Sequence, residues 1–116
     1  MGAENEKRWI MLEISPSRVA RIIIQARELP ATEAVIRGYI ADLNTDEQAS
    51  LVAVMWIGRE TFTADDLAEA IETAKIEATA PTEDYLMAEP MLADYLESGL
   101  EALGYDVEEL EDEHLK

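Results

Sequence analysis

Nucleophilic catalysis of the Ser-His-acid or Cys-His kind needs a base that titrates near neutrality beside the nucleophile. This chain has no cysteine, and its one histidine, His114, stands in an acidic run near the C-terminus. Glu111 and His114 have the Glu-x-x-His spacing of di-iron bundles, but such a site needs two of these pairs and two further carboxylates facing a core. The five glycines, at positions 2, 38, 58, 99 and 104, are too scattered for a phosphate-cradling loop. Residues 58–66, GRETFTADD, lack the alternating oxygen ligands and closing Glu of a calcium loop. The pairs Glu83-Asp84 and Asp94-Glu97 would serve acid–base chemistry only if burial separated their pKa values, and a solvated helix face is the commoner role. No catalytic, cofactor-binding or metal-ligating residue is therefore expected, and the chain reads as non-enzymatic.

Three features remain as binding candidates. Asp94, Glu97 and Glu101 are spaced three and four apart, with no base in reach on their own helix. Like charges so placed cost a helix about 0.2–0.5 kcal/mol per pair, so the ridge does not serve local stability. Arg59 is one of only four bases after residue 28 and follows an apolar segment, where it could cap helix carbonyls or meet a ligand. Met55, Trp56, Tyr85, Met87, Met91 and Tyr95 are the residue types that fill irregular cavities, and could line a small-molecule pocket or pack a core.

Charge bounds the partners. The formal net charge is −17 over 116 residues. Residues 1–28 hold Lys7, Arg8, Arg18, Arg21 and Arg27 against Glu4, Glu6, Glu13 and Glu28, a balance of +1, and the remainder sums to −18. Direct attraction to nucleic-acid phosphates or anionic lipid is not expected. No apolar run approaches the roughly 18 residues of a membrane span, and residues 1–14 lack a signal-peptide core. A cytoplasmic protein is the expectation.

The elements that must position these residues read as helices. Residues 1–14 form a lead-in whose Trp9, Ile10 and Leu12 are expected to cover the core. Ser15-Pro16 is a helix start, and Val19, Ile22, Ile23, Ala26 and Leu29 share a face up to about Glu28. Val35, Ile36, Tyr39, Ile40 and Leu43 mark a second helix with Gly38 in its middle. Thr45 and Gln48 have capping-box spacing, and Ala49–Ile57 is apolar at eight of nine positions, leaving Ser50 to face water. A segment so apolar belongs at the centre, with Gly58 closing it as a left-handed cap. Thr63 opens a fourth helix with Leu67, Ala70, Ile71, Ala74 and Ala78 on its inner stripe. Thr82–Ala88 adds a turn or two after Pro81. Leu92, Leu96, Leu100 and Leu103 form the last long helix, capped by Gly104. Residues 106–116 read as a solvated acidic tail. The fold class is all-α, a compact orthogonal bundle of five to six helices around a buried helix at about 45–58. Residues 15–105 form its single domain.

Three stretches carry a family likeness: LEISP and IIIQARE within residues 12–28, DEQASLVAVMWIGR over 46–59, and YLMAEPMLADYLESGL over 85–100. They resemble the bacterial family known as domain of unknown function 3775, over roughly residues 12–105. The resemblance implies a compact bacterial domain and carries over no catalytic residue. Family members often have a longer polar insertion after the first helix, and Glu60 stands where a glycine is common.

The function expected from these readings is a non-enzymatic acidic interaction module whose protein partner offers a basic or amphipathic surface. Asp94, Glu97, Glu101 and Arg59 are its candidate contacts. A second copy is an alternative partner, with Arg18 and Arg21 meeting the acidic ridge. Two other classes are a nucleic-acid mimic that occupies a DNA-binding protein's groove, and a small-molecule-binding domain around Trp56.

Overall fold

The computed structural model describes residues 12–115, and among them every regular element is helical. The seven α-helices are α1 (Pro16–Ala26), α2 (Glu33–Ala41), α3 (Thr45–Gly58), α4 (Leu67–Ile76), α5 (Thr82–Met87), α6 (Leu92–Ala102) and α7 (Val107–Leu115). A 3-10 turn, Ala64–Asp66, leads into α4. None is long and apolar enough to cross a membrane.

The expected all-α core forms around α3, in which every residue from Ala49 to Ile57 is buried. α3 packs chiefly against α6 and α4, α1 lies against α6, α7 and α2, and α5 joins through α2. Burial on every side explains why α3 shows no polar face: each flank meets another helix. Ser50 is a correction to the water-facing role read from sequence. It is fully buried, and its Oγ accepts the Glu13 backbone N–H at 3.0 Å, so the lead-in is tied to the central helix. Ile14 beside it is buried and Leu12 packs on the core, whereas Trp9 and Ile10 lie outside the described residues.

The caps refine the boundaries. Ser15 Oγ accepts the Ser17 N–H at 3.2 Å, as its position before Pro16 predicts. The capping box of α3 falls one residue earlier than expected. Asn44 Oδ1 accepts the Glu47 N–H at 2.7 Å, and Glu47 Oε1 accepts the Asn44 N–H at 3.0 Å. Gln48, freed from capping, donates its Nε2–H to Ile40 O at 2.9 Å and ties α3 to the end of α2.

Gly58 is not the left-handed residue. It is the last helical position of α3, and the positive φ falls on Glu60, at 72°. That conformation favours glycine, so Glu60 holds it at a cost. Gly104 does take the left-handed form after α6, at φ 96°.

The apolar faces hold with exceptions at their ends: Leu29 and Val35 are exposed, at 39% and 54%. Ala78 lies beyond the end of α4 and is exposed. The larger correction is at the C-terminus. Where a solvated tail is expected, Val107–Leu115 is a helix laid on α1. Asp106 Oδ1 accepts the Glu109 N–H at 3.1 Å, Val107 is buried, and Leu110 is half-buried against the core.

Candidate functional site

The acidic ridge is a property of α6, whose Leu92, Leu96, Gly99 and Leu100 turn inward and leave Asp94, Glu97 and Glu101 on other faces. Asp94 and Glu101 are exposed, but Glu97 is half-buried and engaged. Arg27, the residue that ends α1, places Nη2 2.9 Å from Glu97 Oε1 and Nη1 3.1 and 3.2 Å from the two oxygens of Glu111. One guanidinium thus joins α1, α6 and α7. Partial burial alone would lower the Arg27 pKa, but its bonds to Glu97 and Glu111 and their charges outweigh that and hold it above the ordinary arginine value.

This clamp changes what the acidic surface is. From Asp94 to Glu113 the chain carries Asp94, Glu97, Glu101, Asp106, Glu108, Glu109, Glu111, Asp112 and Glu113, with no lysine or arginine between them. Packing of α7 on α1 places its acids on a folded element, joined to α6 through the Arg27 bonds to Glu97 and Glu111. Glu111 and His114, despite their spacing, take different partners: Arg27 for the first and Ser17 for the second. No group of three or more potential metal ligands forms among the described residues.

Arg59 is the C-cap residue of α3 and its backbone N–H donates to Met55 O at 2.9 Å, but its side chain turns away from the last carbonyls. Its Nε–H donates to Thr61 Oγ1 at 3.2 Å, and its Nη1 lies 3.8 Å from Glu89 Oε1. Among the described residues no ion pair joins it to Asp94, Glu97 or Glu101.

The Met and aromatic set divides. Met55 is buried in the core, Met91 is 46% exposed, and only Trp56 and Tyr85 line a common groove. The groove holds about 190 Å³, with Ala49, Val52 and Trp56 of α3 on one side and Ala74, Lys75 and the 77–80 segment on the other. Trp56 donates its indole N–H to the Tyr85 hydroxyl at 2.9 Å and stacks on Phe62 with centroids 5.6 Å apart. At the rim Lys75 Nζ is 3.0 Å from Asp46 Oδ1. That hydrogen bond, against a smaller opposing effect of burial, raises the Lys75 pKa above its usual value. Pairing of α3 and α4 across this groove was not readable from sequence, because the 77–80 stretch carries no chemical signal of its own.

The family described as "Protein of unknown function (DUF3775)" matches residues 33–105. The range takes in α2 to α6, and with them the groove and the ridge, but excludes α1 and α7. The resembling stretch at 12–28 lies outside it. No curated protein and no solved structure matches the chain.

Proposed function

The chain belongs to DUF3775, a family of unknown function, and we propose that it is a non-enzymatic module that binds a protein partner with a basic or amphipathic surface. The observation that supports this reading is the Arg27 clamp, which bonds Glu97 of α6 and Glu111 of α7 and so holds two acid-rich helices in one folded unit. Such a surface is pre-ordered, so a cationic partner would meet it without first having to order a tail, and its charge would speed encounter at low salt. The same reading assigns the protein to a bacterial cytoplasm.

The test must spare Glu97 and Glu111, whose loss would disturb the fold. Charge reversal of the exposed Asp94, Glu101, Glu108 and Asp112 is expected to release, at low salt, the proteins that co-purify with the native chain. Retention of every partner by that variant would end the assignment. DNA added to the native complex separates the mimic reading: if the partner is a DNA-binding protein, the duplex displaces it from the acidic face.

A second reading, small-molecule binding, is favoured by the groove between Trp56 and Tyr85. Its volume is below the roughly 300–1,000 Å³ of common ligand sites, which ranks it behind the acidic surface. A metabolite panel that raises the melting temperature of the wild type but not of Tyr85→Phe would promote it.

A further inference from the structure

Of the lysines and arginines among the described residues, Arg18, Arg27, Arg37, Arg59 and Lys75 are all in ion pairs. Arg21 is in none. Among the described residues it is the one arginine with no carboxylate within ion-pair distance. The Arg21 guanidinium carbon lies instead 4.9 Å from the centre of the Tyr39 ring, and none of its N–H groups meets an acceptor among the described residues. This cation–π contact holds the guanidinium over the ring while leaving its N–H groups for another partner.

Around it α1, α2 and α7 enclose an open cleft of about 500 Å³ lined by Arg18, Arg21, Tyr39, Asp42, Leu43 and His114. Arg18 spends Nη1 on Glu47 at 3.0 Å and retains other donors. His114 Nε2 is 2.7 Å from Ser17 O and 3.0 Å from Ser17 Oγ, which anchors the ring at the edge of the cleft.

We propose that this cleft binds a small oxyanion, a carboxylate or phosphate held in the fork of Arg21 with Arg18 beside it. The two N–H groups on one edge of a guanidinium match two oxygens of either group, and the charge-assisted pair is the strong form of hydrogen bond. The net charge of −17 restricts the ligand to a small one, since an extended polyanion would be repelled along its whole length. Asp42 faces the same cleft and opposes the ligand's charge. The site is separate from the acidic surface proposed above, although both require α7 to be packed against α1.

The test follows the Arg21 Nε–H and Tyr39 ring signals of the full chain by NMR at constant ionic strength. Inorganic phosphate and succinate are titrated in separate series. Saturable shifts with a roughly millimolar Kd are expected. Arg21→Lys, which keeps the charge but loses the fork, should weaken binding about tenfold, and Asp42→Asn should tighten it. Tighter binding of phosphate or of succinate identifies the source of the oxygens. Both substituted residues are exposed, and unchanged circular dichroism verifies that the variants fold. Shifts that never saturate, or that Arg21→Lys leaves unaltered, would overturn the proposal.

Discussion

Gly58 and Gly99 meet backbone to backbone where α3 crosses α6. A Cβ on Gly58 would run into the Tyr95 carbonyl and lie 2.9 Å from the Gly99 nitrogen, and a Cβ on Gly99 would run into the Val54 carbonyl. Close approach, not a turn, is what these glycines supply, and it lets the two most extensively packed helices share one core.

Alanine at either position should therefore cost more than the usual 1–3 kcal/mol of about one overpacked methyl, because backbone cannot rotate away as a side chain can. Gly38→Ala should act in the opposite direction. Nothing lies within 4 Å of a Cβ there, and removing glycine from an exposed helix interior stabilises by about 0.5–1 kcal/mol. Urea unfolding midpoints of the three variants should fall, fall and rise, and a common sign would contradict the crossing.

Glu60 holds φ at 72°, a conformation that costs a residue with a Cβ about 1 kcal/mol. Glu60→Gly should relieve that cost, offset in part by the added freedom of the unfolded chain, for a net gain of about 0.5 kcal/mol. A loss of stability on this substitution would mean that the Glu60 side chain contributes more than its backbone forfeits.

Trp56 is 7% exposed and shares a hydrogen bond with Tyr85. Trp56→Ala should cost about 3–5 kcal/mol in denaturant unfolding. Tyr85→Phe should cost only about 1 kcal/mol, by removing the acceptor from a mostly buried indole N–H. A Trp56→Ala loss below about 1 kcal/mol would remove α3 from the centre of the core.

What the sequence made legible was whatever one segment could decide alone. Ala49–Ile57 is apolar at eight of nine positions, so its central place needed no partner to be recognised, and Ser15-Pro16 is a local start signal. Ser50 was misread because its partner, the Glu13 amide, comes from another segment. Gly58 was misread because glycine has two uses, and the one that applies depends on Tyr95, far along the chain. The ridge was legible as charge, but its division by Arg27 was not, since that pairing exists only once α1, α6 and α7 are packed. The helix at Val107–Leu115 did carry signals, a capping Asp106 and the apolar spacing of Val107 and Leu110, which the density of acids obscured.

Lys75 should titrate above the ordinary lysine value, chiefly through its hydrogen bond to Asp46. The sign follows from linkage: a folded pKa raised above the unfolded one stabilises fully below the unfolded pKa, and that contribution disappears as pH rises through the folded pKa. The groove rim should therefore loosen only in strongly alkaline solution. NMR of the Lys75 side chain should show the raised pKa, and Asp46→Asn should bring it down; an unchanged value would mean the pair does not persist in solution.

The docking of α7 makes the most direct prediction, because a free acidic tail and a packed helix differ in what a protease can reach. A glutamate-specific protease would cut a free tail after Glu108, Glu109, Glu111 and Glu113 at the rate of an unfolded peptide, whereas packed α7 must first open. Opening breaks the Arg27 bonds to Glu111 and the His114 bond to Ser17 O, and it exposes Val107. Arg27→Met should speed cleavage without unfolding the core. Arg27 is 38% exposed, so solvent screening limits its pairs to about 1 kcal/mol, or roughly fivefold in the opening equilibrium. Added salt should accelerate cleavage of the wild type and leave Arg27→Met nearly unchanged, since the screened pairs are those the variant lacks. Cleavage of the wild type at the unfolded-peptide rate would return residues 106–116 to a solvated tail and remove the acidic surface on which the proposed partner docks.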